Sequence, residues 1–439
     1  MTRRLSSTTH LRQSSDGIRG AMMARSNRGA IVENEFERVL RDRLLRTVFQ
    51  PIMRVQSGAV VGYEALIRGP AGSILESPDA LIKEAYRQNR VAEFDWIARA
   101  TASRAALAAR LAPDDLLFLN IEPAALASKC PPDLRPDIEE AFGTFRVVLE
   151  ITERSLDHDP RTLFEGIDRQ RPTVTGLALD DVGADIRAMS MLPVVRPDII
   201  KLDLKVTQST PSRQAMRVLH FVFEEVERTG ATILAEGVET KRHDEVVRAL
   251  GASLAQGWLY GKPTDDPAPA EEHEAHMSLW AELGLEEVRS PFEVLGGQSI
   301  SRAPRDLLRS LADEIFRHGL HLLPPALLIV LVPDPETLTK HHLRVLSQLA
   351  RRQVITGVIG GGMPPEPAPG VRGSQKHDPA LDGQYAVIAV SPSTAVAVVA
   401  RQAHSTQPDF YFGVIHDRPR ITTAARCLLR QLGPQPACG

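Results

Sequence analysis

Carboxylate, carboxamide and amine side chains recur within or just after the apolar runs of the first two thirds of the chain. They are Glu64, Asn120, Glu150, Glu153, Asp180, Asp181, Lys201, Glu236, Glu239 and Gln256. Each residue alone has an ordinary structural explanation. An Asp-Asp pair before glycine is typical of a turn, and a glutamate after a strand can cap a helix. A lysine can extend from an apolar strand to the surface. The set indicates chemistry only if the fold brings its members together.

Convergence of these residues would create a strong need for cations. Two carboxylates about 4 Å apart repel by roughly 4 kcal/mol at an effective dielectric constant near 20, and Lys201 cannot neutralise all the acids of the set. The candidate ligands are carboxylates and one carboxamide, without histidine or cysteine, which favours Mg²⁺ or Mn²⁺ over Zn²⁺. Asp180 is an acid that can bridge two ions about 3.5–4 Å apart, a pair that activates water and stabilises an in-line displacement at phosphorus.

Strands and helices that alternate between residues 34 and 263 are the elements that must position this set. The strand candidates are Val48–Val55, Val60–Arg68, Leu116–Ile121, Val147–Thr152, Thr175–Val182, Ile199–Leu204, Thr232–Val238 and Leu254–Tyr260. The main helix candidates between them are Pro78–Leu111, Ser212–Thr229 and Lys241–Leu250. This alternation predicts an α/β fold of the TIM-barrel type, whose active site lies at the C-terminal ends of the strands.

The first two strand candidates depart from a regular barrel. Only "QSGA" separates them, and Ser57-Gly58 is typical of a turn. Such a short connection cannot cross over between parallel strands. We therefore predict a modified TIM (β/α)8 barrel in which Val48–Val55 runs antiparallel to its neighbour.

The rest of the chain divides into three further parts. Residues 1–33 are rich in Ser, Thr, Arg and Gly and predict a disordered arm. The barrel is expected over 34–265, a Pro-rich, acidic linker with a helical connector over 266–288, and a smaller α/β domain over 289–433. The strand and helix candidates of that smaller domain are Leu327–Val332, Val354–Ile359, Tyr385–Val390, Ala395–Ala400 and Phe410–Ile415, and Arg305–His318, Thr337–Arg352 and Thr422–Leu432. The stretch 360–383 predicts a long loop.

Composition narrows the class of protein. The 439 residues include 52 Lys and Arg against 55 Asp and Glu, so the net charge indicates neither a nucleic-acid nor a membrane-surface partner. Three cysteines, odd in number and far apart, fit a reducing compartment. The sequence has no apolar run of membrane-spanning length and no secretory signal core at its start. These observations predict a cytoplasmic protein.

At this point the residues carry a family resemblance. Seven segments follow in the order and spacing of the EAL-domain family, namely "YEALIR", "NIEP", "EITE", "LDDVG", "RPDIIKLDL", "AEGVET" and "AQGWLYGKP". The resemblance implies a modified TIM barrel that hydrolyses cyclic di-GMP to linear pGpG with two Mg²⁺ or Mn²⁺ ions. The positions that match metal ligands are Glu64, Asn120, Glu150, Asp180, Asp181 and Glu236. Asp180 matches the bridge, Asp181 a ligand of the second ion, and Glu236 the acid that holds that ion and its water.

The resemblance also assigns roles around the metals. Lys201 resembles the lysine that orients the attacking water and steadies the phosphate charge, and Gln256 resembles a glutamine near that water. Glu239 matches a family acid without an assigned role. Gln50 and Arg68 resemble substrate contacts, with Arg68 on a phosphate.

The loop after the two aspartates departs from the family pattern. Glu153 resembles the glutamate that holds this loop, but Val182 replaces the family's phenylalanine and Asp185 its second glycine. Glycine adopts positive φ more easily than aspartate does. In the family this loop couples metal binding to dimerisation, so we expect a homodimer and a turnover that is low or conditional.

The smaller domain resembles the DICT sensory domain in "FEVLGGQSISRAPRDLLRSLADEIF" and "FYFGVIHDRP". It lacks an evident nucleophile or metal set, which predicts regulation or binding of a signalling partner. Two alternatives to a phosphodiesterase stay open. The barrel could be a receptor that binds cyclic di-GMP with little turnover, or a scaffold that neither binds nor cleaves it.

Overall fold

The computed structural model describes residues 31–434. The gaps are 110, 114, 127, 153–158, 184–188, 209–211, 269–287, 297–299, 322–325, 335–336, 353, 375–377, 392–393 and 404–408. The predicted arm over 1–33 therefore lies mostly outside the described residues, and its last three residues belong to helix α1 (residues 31–41). Most of the predicted connector over 266–288 also lies outside them.

Eight strands close into a barrel in sequence order, which confirms the predicted modified TIM barrel. They are β1 (Arg46–Arg54), β2 (Val60–Arg68), β3 (Leu116–Asn120), β4 (Arg146–Thr152), β5 (Gly176–Val182), β6 (Ile199–Leu202), β7 (Thr232–Ala235) and β8 (Leu254–Gln256). Strand β1 pairs antiparallel with both β2 and β8, as the short hairpin predicts, and the other neighbouring strands pair in parallel.

Helices surround the barrel. They are α2 (Pro78–Arg87), α3 (Val91–Ala108), α4 (Pro123–Leu126), α5 (Arg135–Thr144), α6 (Pro160–Gln170), α7 (Leu192–Val195), α8 (Leu204–Gln208), α9 (Arg213–Thr229) and α10 (Lys241–Ala249). The single helix predicted over Pro78–Leu111 is wrong, because Asn89 has a φ of 54° between α2 and α3. Asparagine tolerates this left-handed conformation, which ends a right-handed helix.

A second sheet of seven strands has the order β12-β11-β10-β13-β14-β15-β9. Its strands are β9 (Ser301–Pro304), β10 (Ala326–Leu331), β11 (Val354–Ile359), β12 (Arg372–Ser374), β13 (Gln384–Val390), β14 (Ala395–Gln402) and β15 (Asp409–Ile415). Its helices are α11 (Arg305–His321), α12 (Lys340–Arg351) and α13 (Arg418–Leu429). The two edge strands, β9 and β12, are absent from the sequence prediction. The domain limits at residues 265 and 289 stay a prediction.

Helix α13 packs the second sheet against the barrel. The Asp168 carboxylate of α6 pairs with Arg426 and Arg430. The backbone N–H of Arg161, also on α6, donates to the Leu432 carbonyl at 3.1 Å, and the Arg161 guanidinium donates to the Arg430 carbonyl at 3.2 Å. The two units therefore meet along one surface. Within the described ranges, no helix is both long and apolar enough to cross a membrane.

Candidate metal site and active site at the barrel mouth

Seven of the polar residues lie two positions along their strand from a residue that is buried inside the barrel. The pairs, interior residue first, are Ile52 and Gln50, Phe118 and Asn120, Val148 and Glu150, Ala178 and Asp180, Ile199 and Lys201, Leu234 and Glu236, and Leu254 and Gln256. Side chains two apart in a strand share a face. The sequence period therefore places these polar groups above the apolar interior, at the mouth. Gln50 precedes its partner because β1 runs the opposite way.

Glu64 lies in the same layer, two residues after Gly62. A Cβ atom at residue 62 would lie 2.2 Å from the Leu116 carbonyl oxygen, so only glycine fits this close contact with β3. The Glu64 carboxylate accepts hydrogen bonds from Gln256 Nε2 at 2.7 Å and from Asn120 Nδ2 at 3.1 Å. Burial opposes ionisation of Glu64, but Lys201 and these two amides hold its pKa below the usual value.

Lys201 is completely buried at the centre of the acidic set. Its Nζ atom lies 2.6 Å from Glu150 Oε1, 2.9 Å from Asp180 Oδ1 and 3.0 Å from Glu236 Oε1. Glu64 Oε2 is somewhat farther from Nζ, at 3.5 Å. Burial opposes the charge of Lys201, but the carboxylates outweigh it and hold the pKa of the lysine well above its usual value. The surrounding carboxylates thus favour the charged form of Lys201.

One lysine leaves this acidic set with excess negative charge. Burial is the largest cause that raises the pKa of Glu150 well above its usual value, and the nearby Glu64 and Asp180 charges add to it. Burial likewise raises the pKa of Glu236 to about 8, against the opposing effect of Lys201. The arrangement thus favours either bound protons or additional cations.

The two adjacent aspartates both reach the mouth because β5 is irregular at its end. Consecutive strand residues normally point to opposite faces. However, the pairing of β5 with β6 shifts between Leu179 and Val182, and Asp181 has a φ of 58°. Single carboxylate oxygens of Asp180, Asp181 and Glu236 lie within 4.8 Å of one another. Three hard oxygen donors at this spacing fit a divalent cation such as Mg²⁺ or Mn²⁺.

The predicted substrate contacts differ in their placement. Gln50 joins the mouth network, since its Oε1 accepts a hydrogen bond from Gln256 Nε2 at 3.0 Å. Arg68 is the last residue of β2, is half-buried, and donates from Nη1 to the Ile67 carbonyl at 2.9 Å. Burial is the largest cause that lowers the pKa of Arg68. No described hydrogen bond ties the Arg68 side chain to the acidic set.

The other positions named from the sequence have no described contact with the acidic set. Glu239 is exposed, and its backbone N–H donates to His243 Nδ1 at 3.3 Å, so its described contacts do not include the acidic set. Glu153 and Asp185 lie outside the described residues. Val182 is completely buried at the end of β5. A phenylalanine at this position would overpack the core at a cost of about 1–3 kcal/mol, which is a local reason for the departure from the family pattern.

A buried ion pair in α3 supports the mouth and is missing from the sequence prediction. Arg99 Nη2 lies 2.6 Å from Asp95 Oδ2, and both side chains are almost completely buried. Asp95 Oδ1 accepts a hydrogen bond from the Glu122 backbone N–H at 2.8 Å, which fixes the chain just after Asn120. An Asp and an Arg four residues apart inside an apolar helix are the signal that could have identified this pair.

A cavity of about 220 Å³ adjoins the acidic set. Its walls include Glu64 and Asn120 on one side and Phe94, Asp95 and Ile82 on the other. Apolar walls with a few polar groups are typical of a small-molecule binding site.

Comparisons with known proteins agree with the motifs. The family model described as "EAL domain" matches residues 33–263. The probable cyclic di-GMP phosphodiesterase PdeB of Escherichia coli is 31% identical over 225 residues, which cover 50% of this chain and 43% of that protein. The cyclic di-GMP phosphodiesterase RocR of Pseudomonas aeruginosa is 29% identical over 226 residues, which cover 49% of this chain and 56% of that protein.

Among solved structures, Klebsiella pneumoniae BlrP1 in its manganese and cyclic di-GMP complex has a TM-score of 0.44 and 27% identity. This match covers 50% of this chain and 56% of that chain. The chain thus spans about half the length of the proteins that it matches. The family match nevertheless extends over more than half of the chain, from before β1 to beyond β8. The chain belongs to the EAL-domain family.

Proposed function

We propose that this chain hydrolyses one phosphodiester bond of cyclic di-GMP and releases linear pGpG. Family membership supports the substrate class. The observation that carries the proposal is the convergence of carboxylates from β2, β4, β5 and the end of β7 on one completely buried lysine. Such a site is built for cations and for an anionic substrate rather than for stability, because clustered buried acids repel one another.

Two Mg²⁺ or Mn²⁺ ions would be held by Glu64, Asn120, Glu150, Asp180, Asp181 and Glu236, with Asp180 shared between the ions. When bound, such a pair of ions activates water and stabilises the charge that develops at phosphorus. Lys201 would orient the water and attract the phosphate, with Gln256 beside it and Glu239 left without an assigned role. Arg68 and Gln50 would contact the nucleotide, and Glu153 would hold the loop after Asp181.

Incubation of the full chain with cyclic di-GMP and Mn²⁺ tests this proposal, with product separated by chromatography. We expect pGpG to accumulate, and we expect EDTA or Asp181→Asn to stop it. Binding of cyclic di-GMP without product would instead favour the receptor function, which the altered residues Val182 and Asp185 motivate. Calorimetry that detected no affinity for cyclic di-GMP would favour the scaffold.

The second sheet is proposed as a DICT-like regulatory domain over 289–433 that receives a signal or binds a signalling partner. Within the described part of the chain, the one cluster of three acids with metal-ligand spacing lies at the barrel mouth. The interface with α6 gives the second sheet a physical connection to the barrel. A homodimer formed through the barrel, and action in the cytoplasm, belong to the same proposal. Sedimentation velocity of the full chain tests the dimer, which a single monomer boundary would contradict.

A further inference from the structure

We infer that Gln208 is a positioning residue that fixes Glu236 for metal binding. This inference rests on the proposed function, because it assigns Glu236 to the metal site. Gln208 is the last residue of α8, the short helix that directly follows the strand of Lys201. The role requires that Gln208 control the turn after β7, where Glu236 lies.

A short hydrogen bond joins Gln208 to that turn. Gln208 Nε2 donates to the Gly237 carbonyl at 2.6 Å, across 29 residues of sequence. The bond is partly buried, so water competes less well for its two groups than it would at an open surface. The side chain of Gln208 thereby connects the end of β6 to the end of β7.

Close packing adds to the hydrogen bond. Gly237 has a φ of 67°, which favours glycine, and a Cβ atom there would lie 2.5 Å from Leu204 Cβ and 3.1 Å from Gln208 Nε2. The first and last residues of α8 therefore both contact residue 237. The helix covers this turn without space for a side chain.

The residues on either side of Gly237 are fixed by other strands. The Glu236 backbone N–H donates to the Leu202 carbonyl at 3.1 Å, and the Val238 backbone N–H donates to the Gln256 carbonyl at 3.0 Å. Gln208 supplies the contact to the residue between them. Three successive residues are thus held by β6, α8 and β8, and this arrangement keeps the Glu236 carboxylate 3.0 Å from Lys201.

Metal affinity depends on such support. A ligand that is already in place loses little freedom when the ion binds, and loss of an outer contact typically lowers metal affinity by about 10–100-fold. Gln208 acts on the backbone next to Glu236 and not on the carboxylate itself. We therefore expect a loss at the low end of that range, about tenfold.

The test compares Gln208→Met with Gln170→Met. Methionine has nearly the volume of glutamine and no N–H donor, so the first variant removes the hydrogen bond and adds no charge. Gln170 is the matched control, because it also ends a helix and its described hydrogen bond uses its backbone carbonyl, which accepts from the Thr173 hydroxyl. The measurement is Mn²⁺ binding to the metal-stripped full chain by calorimetry without nucleotide, together with thermal melting of the metal-free variants.

We expect the Mn²⁺ dissociation constant to rise about tenfold in Gln208→Met and to stay at the wild-type value in Gln170→Met. Loss of the hydrogen bond should lower the free energy of unfolding of metal-free Gln208→Met, so Mn²⁺ binding is measured at a temperature where melting shows both variants to be fully folded. A second variant, Gln208→Glu, separates charge from hydrogen bonding. Its added negative charge would strengthen Mn²⁺ binding if charge alone mattered. We expect weaker Mn²⁺ binding, because the variant also lacks the donor to the Gly237 carbonyl.

Wild-type Mn²⁺ affinity in Gln208→Met, or stronger binding in Gln208→Glu, would overturn the role of Gln208. Because this readout does not depend on turnover, a wild-type chain that binds Mn²⁺ but releases no pGpG would contradict the proposed function and leave the measurement of Gln208 intact. A wild-type chain that bound no Mn²⁺ would overturn both.

Discussion

Two clusters of charge lie at buried or half-buried positions, and they have opposite excess. The mouth cluster consists of Glu64, Glu150, Asp180, Glu236 and Lys201, in which acids surround one base. The interface cluster lies where α13 meets the barrel, and arginines predominate in it. Its members are Asp168, Arg196, Glu225, Arg228, Arg418, Arg426 and Arg430.

The arginine excess is partly met by acceptors inside the protein, although Arg196 Nη1 and Arg426 Nε are buried without a described hydrogen-bond partner. Burial, followed by the charges of Arg228 and Arg426, lowers the pKa of Arg196 to about 10. Its guanidinium nevertheless donates to the Pro419 carbonyl at 3.2 Å and to the Thr422 hydroxyl. A backbone carbonyl and a hydroxyl thus take up part of the guanidinium surplus without another ion.

Within the described residues, the acids at the mouth share a small number of donors. Carboxylates need donors, and the described donors to Glu64 are the amides of Asn120 and Gln256 together with the Lys201 ammonium. The remaining acids share that same lysine. The comparison teaches that an excess of buried acid indicates an external cation more strongly than an excess of buried arginine indicates an external anion.

Glu150→Gln should have the largest effect on activity. Glutamine keeps the shape of the buried side chain but removes a charge from the proposed metal site, so we expect cyclic di-GMP hydrolysis to fall by at least about a hundredfold. The metal-free protein should melt no lower than wild type, because the change relieves repulsion between acids. A melting temperature below that of wild type would show that Glu150 serves stability, as the interface residues do.

Mn²⁺ binding at the mouth cluster should stabilise the folded chain relative to the unfolded chain by mass action. At a free Mn²⁺ concentration about 100 times the dissociation constant, the free energy of unfolding should rise by about 2.7 kcal/mol. Thermal melting with and without Mn²⁺ measures this change, and Asp181→Asn should abolish it. An equal Mn²⁺ shift in wild type and in Asp181→Asn would place the ion elsewhere.

Asp168→Ala should destabilise the interface cluster by about 1–3 kcal/mol, because two guanidinium groups lose their carboxylate partner. Denaturant unfolding of the full chain measures the loss. Glu165→Ala, at an exposed position on the same helix, is the control and should have almost no effect. Mn²⁺ affinity should stay at the wild-type value in both variants, and a changed affinity would show that the two clusters are coupled.

Thr422→Val should have the smallest effect. The change keeps the branched shape but removes the hydroxyl that accepts from Arg196, so the free energy of unfolding should fall by about 1 kcal/mol. Thr423→Val is the neighbouring control, since its hydroxyl is exposed and donates to the Pro419 carbonyl. Equal losses in the two variants would assign the effect to the helix and not to Arg196.

Most of the barrel could be predicted from the sequence, because strands and short turns are specified by residues that are close together in the chain. Strand β2 matches its predicted bounds at both ends, and the position of Glu150, Asp180 and Lys201 in or just after their strands predicted that they would lie together at one end of the barrel. Strands β7 and β8 end earlier than predicted, where Gly237 and Gly257 adopt positive φ. A propensity pattern does not reveal such turns, because an apolar residue, Val238 or Trp258, follows each glycine and extends the apparent strand.

Contacts between distant segments account for what the sequence could not predict. Gln208 meets Gly237 only after β6 and β7 have paired, and Asp95 meets the Glu122 backbone only after α3 has packed beside β3. The edge strands β9 and β12 have few residues and weak apolar alternation, so their neighbours in the sheet define them. Local patterns thus identified the proposed ligands but not the residues that support them.

The contact between α6 and the end of α13 gives the two units a second connection besides the backbone. Arg161 and Asp168 bind the last turn and the residues after it, so the barrel and the second sheet are connected by the backbone before β9 and again by non-covalent contacts at α13. A single cut in the backbone between the barrel and β9 would therefore break the covalent link and leave these contacts in place.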